Sequence, residues 1–462
     1  MKTNTLDFDA QALREKILDL AMRGKLVPQD PNDEPASVLL EKIKAEKDAL
    51  VKEKKIKKSK SLPEITDDEK PFDIPDGWEW VRLGSIGEVF AGGDKPDDFS
   101  DIKDEQHQFP IYSNGVENKG LYGFTSSARV KQPAITLSAR GTIGHVEYRA
   151  IPYVPIIRLI SFVPYDESYL RCIFYFLQSK QLIEKGDGSS IPQLTVPKLK
   201  PKVIPLPPLS EQSRIAAKIT HLFGLITKIE KASKQYKELQ ASLKSKVLDL
   251  AMCGKLVEQN PNDEAASVLL DKIKEEKTAL VKEKKIKKSK PLPEITNDEK
   301  PFEIPDSWEW VRLGEIAEVI MGQSPKGDTV NTNGDGVEFH QGKTEFTNMI
   351  INKSNKYTTS LNKVVSNEYI VMAVRAPVGD VNLLDRKIVI GRGLAGIKAY
   401  ICDKQYIFYY LNSIKPYYEQ RSTGTTFKAI NGKVIRDTPV PLPPLEEQNR
   451  IVTKLEKVLS TL

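Results

Sequence analysis

Two sets of polar side chains on glycine-flanked turns carry the chemistry of this sequence. The first is Ser113, Asn114, Lys119, Arg140, Thr142, Ser189, Ser190, Gln193 and Lys198. The second is Gln323, Ser324, Lys326, Gln341, Lys343, Arg375, Thr425, Thr426, Lys428 and Asn431. These residue types suit recognition: amides, hydroxyls and guanidiniums exchange hydrogen bonds, and lysines offer point charges to anions. Neighbouring glycines permit close backbone approach. Any single member could serve only to build its loop, so the expectation attaches to the loops as sets.

Bond-making constellations are missing from the sequence. A methyltransferase would need a glycine-rich cofactor turn and an Asn or Asp before Pro-Pro-aromatic to hold a flipped amine. Phe90-Ala91-Gly92-Gly93 lacks that spacing, and both Pro-Pro pairs are flanked by Leu. Pro96-Asp97 with Asp101-Ile102-Lys103 imitates a nuclease metal site, yet these acids are too close in sequence to lie on neighbouring strands. His107, His145, His221 and His340 are scattered without metal-ligand spacing, and no Walker-type phosphate loop occurs. No catalytic residue and no metal site are expected in this chain.

Long helices must position the loops. From Ser210 to Leu250 apolar residues keep heptad time, with Ile215, Ile219, Leu222, Ile226 and Ile229 resumed by Tyr236, Leu243, Val247 and Leu250 after breaks at Ser233 and Gln240. Such a seam requires a partner helix. Glu446 to Leu462 repeats its opening and Gln11 to Leu20 repeats its close. The chain therefore reads as a circular tandem duplication opened inside one helix, with its two termini expected near each other. As one helix the central stretch would span about 60 Å at about 1.5 Å per residue.

The duplication is explicit elsewhere. Lys16–Phe90 and Lys246–Ile320 are identical at 60 of 75 aligned positions. Within each copy an amphipathic, Lys- and Glu-rich helix is predicted, Pro35–Ile56 and Ala265–Ile286, behind an Asn32-Asp33 cap signal in the first. Both end in Val-Lys-Glu-Lys-Lys-Ile-Lys-Lys-Ser-Lys, beginning at Val51 and Val281. The plainer reading of this run is a solvated helix end or linker; phosphate contact is the alternative. Proline-bounded connectors then lead into the shared Trp-Glu-Trp-Val-Arg-Leu-Gly at Trp78 and Trp308.

Beyond Gly92 and Gly322 the copies diverge into two lobes of similar layout. The first predicts strands at Ala134–Ser138, His145–Tyr148 and Val154–Val163, and the second at Tyr369–Val374 and Lys387–Ile390. Aromatic helices follow, Glu167–Lys180 capped by Asp166 and Lys404–Ile414 capped by Asp403. Glycine and hydroxyl loops come next, then Pro-Leu-Pro-Pro-Leu at Pro205 and Pro441. The fold class expected is α+β: two mixed α/β lobes related by pseudo-two-fold symmetry and joined by long antiparallel coiled-coil helices. The expected segments are a helical segment at 1–72, a lobe at 73–204, a central helical region at 205–302, a second lobe at 303–440 and a terminal helix at 441–462.

The totals agree with this layout. A chain of 462 residues needs more than one core, and a net charge of only +6 makes any polyanion surface local. Cys172, Cys253 and Cys402 are too few and too isolated for a disulfide framework, which suits a reducing cytoplasm. No signal-peptide core or membrane-length apolar run occurs.

The twin Pro-Leu-Pro-Pro-Leu-(Ser/Glu)-Glu-Gln-x-Arg-Ile segments, Pro205–Ile215 and Pro441–Ile451, resemble the DNA-specificity subunit of type I restriction-modification systems. Ile111-Tyr112-Ser113-Asn114-Gly115, Ser138-Ala139-Arg140-Gly141-Thr142-Ile143-Gly144 and Gly322-Gln323-Ser324-Pro325 are similar to it as well. The resemblance implies two lobes that each read one half of an asymmetric bipartite site in double-stranded DNA, with the helices as a ruler. It implies two methyltransferase subunits and restriction subunits as partners, with S-adenosylmethionine, ATP and Mg on those partners and no cofactor in this chain. The two polar sets named first are then the expected DNA contacts. A coiled-coil protein scaffold without DNA specificity, and a subunit of a methylation-only complex, are the competing readings.

Overall fold

The computed structural model describes residues 8–58, 61–179, 193–288, 290–424 and 428–462. The chain divides into two units, Met1–Lys234 and Gln235–Leu462. Unit 1 contains α1 (Ala10–Met22), α2 (Ala36–Lys52), β1 (Glu79–Arg82), α3 (Leu83–Ile86), β2 (Gly87–Ala91), β3 (Phe109–Tyr112), β4 (Leu121–Thr125), β5 (Ala134–Leu137), β6 (Val146–Arg149), β7 (Val154–Pro155), β8 (Ile160–Pro164), α4 (Leu170–Gln178), α5 (Val196–Leu199), β9 (Val203–Leu206) and the first part of α6 (Leu209–Met252). Unit 2 holds the remainder of α6, then α7 (Ala266–Lys282), β10 (Glu309–Arg312), α8 (Leu313–Ile316), β11 (Ala317–Met321), β12 (Val330–Asn331), β13 (Val337–His340), β14 (Tyr357–Thr358), β15 (Val364–Val365), β16 (Ile370–Ala373), β17 (Val381–Leu383), β18 (Ile388–Ile390), β19 (Leu394–Ala399), α9 (Lys404–Ser413), α10 (Lys415–Gln420), α11 (Gly432–Arg436), β20 (Pro439–Leu442) and α12 (Leu445–Thr461).

The two units share a four-stranded sheet and a two-stranded neck. One antiparallel sheet has the order β2-β8-β5-β6 in unit 1 and β11-β19-β16-β17 in unit 2. A second sheet differs, β4-β3-β7 against β12-β14-β13-β18-β15, though each keeps one parallel pair, β3 with β7 and β13 with β18. The shared Trp-Glu-Trp-Val-Arg segment forms the entry strand of each lobe and pairs antiparallel with the exit strand, β1 with β9 and β10 with β20. Each lobe thus hangs from a two-stranded neck. In unit 2 the aromatic helix α9 secures it: Tyr406 donates to the Pro441 carbonyl at 2.6 Å and Tyr410 to that of Pro439.

Below the neck, a buried carboxylate ties three elements together. Glu211 at the start of α6 is 1% exposed and accepts from Trp78 Nε1 at 2.8 Å and Gln29 Nε2 at 2.6 Å. Glu447 repeats this with Trp308 at 2.9 Å and Gln259 at 2.6 Å. Gly24 and Gly254 stand in the left-handed region in the turns leading to these glutamines, where a Cβ would overlap Pro75 or Pro305. A second buried group, Arg82, holds the connector: it donates to the carbonyls of Pro63, Glu64 and Pro201 and pairs with Glu69. Arg312 does the same for Pro293, Glu294, Asp437 and Glu299. The Arg82 bonds draw the Glu69 carboxyl down to about 2.

Several expectations need correction. Heptad packing is seen at the two ends of α6: Ile215, Ile219 and Ile226 are buried against unit 1 and Val247 against unit 2, while Ile229, Tyr236 and Leu243 are 46%, 65% and 44% exposed. In unit 1, α1 runs antiparallel to α6, with Arg14 reaching Thr227 and Glu230 and Gln29 reaching Glu211. In unit 2, Gln259 reaches Glu447 and Asp263 meets Arg450, so the segment that leaves α6 is tied to the start of α12. The expected closeness of the termini falls partly on Met1–Asp7, outside the described residues. Asp33 does not cap α2, whose N-cap is Pro35; its carboxylate is taken by Arg214 at 2.6 Å, as Asp263 is by Arg450 at 2.5 Å. The predicted strand Val154–Val163 is two strands, because the chain crosses from one sheet to the other through Ile157 and Arg158 at φ 50° and 61°. Among the described residues no helix is long and apolar enough to cross a membrane.

Burial pushes the Glu211 pKa up, against the Trp78 and Gln29 bonds that lower it. The raised folded-state value means this group opposes folding increasingly as pH climbs through it. Trp78→Phe removes one donor from the charged form. It is expected to lower stability by about 1–3 kcal/mol at pH 8 and by less at pH 4, read by urea unfolding with circular dichroism. Equal losses at both pH values would contradict the lock.

Candidate nucleic-acid interface

In unit 1 the turn between β5 and β6 is closed by Ser138 N–H to the His145 carbonyl at 2.9 Å and Gly144 N–H to the Ser138 carbonyl at 3.0 Å. Arg140 and Thr142 project from it and are exposed. The Leu194 N–H donates to the Ala139 carbonyl at 3.0 Å, and Arg140 Nη2 to Gln193 Oε1 at 3.4 Å, so the Gln193 segment lies against this turn. The Ser113 turn joins them through Asn114, whose Nδ2 donates to the Ile157 carbonyl at 2.6 Å and whose Oδ1 accepts from Ala139 N–H at 2.7 Å. Ser113 N–H reaches the Gly120 carbonyl at 2.8 Å, which sets Lys119 at the rim with φ 56°. Arg149, buried beneath, donates to the Lys119 carbonyl and lies 3.6 Å over the Tyr112 ring. Five expected residues, Ser113, Asn114, Arg140, Thr142 and Gln193, therefore meet on one surface with Lys119 beside them. Lys198 lies on α5, and Ser189 and Ser190 lie outside the described residues.

Unit 2 repeats the arrangement with other residues. Gly379 N–H to the Ala373 carbonyl at 2.9 Å closes the β16–β17 turn, and Ile430 N–H to the Val374 carbonyl at 3.0 Å matches the Leu194 bond. Arg375 consequently occupies the position of Arg140, and both are exposed. Lys428 follows through its carbonyl, which accepts from Ala376 N–H at 2.9 Å. On the other side of the turn, Val374 N–H donates to the Gly393 carbonyl and Gly393 N–H to that of Gln341. Ser324 Oγ then donates to Gln341 Oε1 at 3.0 Å and accepts from Arg392 Nε at 3.2 Å. Gln323, Ser324, Gln341, Arg375 and Lys428 are thus gathered, with Lys326 exposed at the next turn. Thr425 and Thr426 lie outside the described residues.

Three expected contacts are redirected by the geometry. Both ends of the Asn114 amide are engaged inside the lobe, so it braces the turns. Asn431 Oδ1 caps α11 by accepting from Lys433 N–H and Val434 N–H. Lys343 is paired with Asp380 at 2.5 Å, whose other oxygen holds Lys415 at 2.6 Å. Arg392 was missed, although its Gly391-Arg392-Gly393 setting is the same signal used elsewhere. His107 is held at 2.9 Å by Asp98 on one ring nitrogen and by Asp104 on the other. These exposed carboxylates fasten the loop before β3; Asp98, bonded chiefly by Ser126, sits at about 2.

Replacing Asn114 by Ala should lower stability by about 1–3 kcal/mol and speed hydrogen exchange of the Ala139 amide. Arg140→Ala should stay within about 0.5 kcal/mol of the parent. The reverse ranking in a denaturant titration would mean that Asn114 is not the brace.

The chain matches the family model described as "Type I restriction modification DNA specificity domain" twice, at residues 75–240 and 305–462. It is 34% identical to the type I restriction enzyme EcoAI specificity subunit of Escherichia coli, across 98% of this chain and 90% of that protein. The EcoEI specificity subunit of Escherichia coli is 37% identical over 69% of this chain and 64% of its own length. A solved chain from "Structural basis underlying complex assembly and conformational transition of the type I R-M system" superposes with a TM-score of 0.56 at 25% identity, covering 85% of this chain and 92% of that one. Two matched domains on repeated necks, and a relative aligned almost end to end, establish that this chain belongs to the DNA-specificity subunits of type I restriction-modification systems.

Proposed function

We propose that each lobe reads one half of an asymmetric bipartite site in double-stranded DNA, that α6 sets the spacer, and that the chain itself performs no catalysis. Two methyltransferase subunits would methylate adenine and restriction subunits would cleave, and S-adenosylmethionine, ATP and Mg would bind to those partners. The observation that carries this reading is the pairing of Arg140 with Arg375. Two lobes of different sequence present a guanidinium from the same closed hairpin turn, ringed by amides and hydroxyls. An exposed guanidinium can make paired bonds to a guanine edge, and amides can do so to adenine. Unlike surroundings on a like turn give each lobe its own preference.

In the complex with its methyltransferase subunits, the chain should bind one duplex far better than scrambled ones, with affinity falling steeply as salt rises. Arg140→Ala should weaken that binding about 10-fold or more and relax base choice in one half-site only; Arg375→Ala should do so in the other. Equal affinity for all duplexes at every salt concentration would favour a protein scaffold. Relaxation of both halves by either variant would contradict independent lobes.

A further inference from the structure

The duplicated basic decapeptides remain unassigned by the reading above, and they dominate the charge of the molecule. Each has six lysines and one glutamate, a net +5. Together they carry +10 against +6 for the whole chain, which leaves −4 for everything else. Cations are also sorted along each copy: the body of α2 nearly balances lysines with acids, and the excess collects in the turn beyond it.

That turn is built and anchored. Lys54 and Lys284, the second residue after each helix, adopt φ 58° and 57°, a left-handed conformation that ordinarily favours glycine. The amides of Lys55 and Ile56 close the turn on the Leu50 carbonyl at 3.0 and 3.3 Å, and those of Lys285 and Ile286 do so on Leu280. On one side, α2 is held by buried Ala36, Leu39 and Ile43, and α7 by Ala266, Leu269 and Ile273. On the other side the Arg82 and Arg312 clamps grip the returning connectors. Lys55 and Lys285 are paired with Glu53 and Glu283 at 2.7 Å. Lys54, Lys57, Lys58 and their copies Lys284, Lys287 and Lys288 are exposed and, among the described residues, have no ion-pair partner.

We infer that these two turns are preset cationic prongs that hold the DNA phosphate backbone without reading its sequence. The inference rests on the lobes being DNA readers. Identical prongs accompany dissimilar lobes, so what they touch must present the same chemistry at both half-sites, as phosphates do and base edges do not. A remainder of net negative charge needs such local cations to approach a polyanion. An acidic face of a partner protein is the other conceivable target, but lysine is depleted at protein–protein interfaces, and the one apolar residue of the turn, Ile56, is half-buried with its amide bonded to the Leu50 carbonyl of α2.

The test uses the full chain assembled with its methyltransferase subunits and a duplex containing the methylated site, titrated at several salt concentrations. Replacing Lys54, Lys57, Lys58, Lys284, Lys287 and Lys288 by Gln should weaken binding about 10-fold or more. It should also flatten the slope of log affinity against log salt by up to about 5, at about 0.9 per phosphate contact, with both half-site preferences unchanged. The pair Lys54→Gly and Lys284→Gly separates charge from fold: glycine relieves the left-handed backbone, so the thermal midpoint should hold or rise while DNA affinity falls. An unchanged salt slope in the six-fold variant, with the parent still discriminating its site, overturns the prongs alone. Failure of the variant to assemble with methyltransferase subunits would assign the turns to a protein face and overturn them too. A parent that discriminates no duplex overturns both this inference and the reading beneath it.

Discussion

A buried carboxylate that accepts an indole N–H and an amide N–H is the interaction on which the rest of each unit depends. Glu211 and Glu447 sit where a proline-stiffened exit strand turns into a helix, and their partners come from elements far away in sequence. An ionised group out of water is tolerated only when its lone pairs are filled, so the lock is stringent. Trp78 and Trp308 cannot shift without leaving that charge unsatisfied, and each lies immediately before an entry strand. The neck strand, the preceding helix and the start of the next helix are therefore fixed together by one geometry, written twice.

What hangs from the neck is less constrained. The four-stranded sheet and its aromatic helix recur in both lobes because they pack against the neck, whereas the second sheet has three strands in one lobe and five in the other. The exposed amides, hydroxyls and guanidiniums stand on turns of both sheets, Arg140 and Arg375 on the β5–β6 and β16–β17 turns of the four-stranded sheet and Ser113 and Gln341 at the ends of β3 and β13 in the second. A core fixes where a turn begins and ends; the residues on the turn then vary without disturbing the core. Arg140 and Arg375 show the outcome, a shared position in unlike company.

Much of this was legible in the residues. The heptad spacing from Ile215 placed the long helix within a residue or two at each end, and the 230-residue offset exposed the repeated frame. Glycine-flanked turns pointed to loops that do meet in space. What the sequence did not reveal is tertiary. Asp33 has the look of a helix cap, but a guanidinium 181 positions away outcompetes the local amide. Asn114 has the look of a reader, but two backbone groups of other turns consume its amide. The apolar run Val154–Val163 reads as one strand, since nothing local announces that its halves join different sheets. Exposure of Tyr236 and Leu243 was equally hidden, because a heptad pattern says a partner is wanted and not how far it extends.

The central claim is that a common frame holds two independent readers, and exchanging one reader tests it most directly. The residues from Gly92 to Pro201 would be replaced by the corresponding lobe of a relative, and methylated adenines mapped across a genome in cells expressing parent or exchange. The account predicts that one half-site changes while the other half and the spacer between them persist. A change in both halves, or in the spacer, would contradict it.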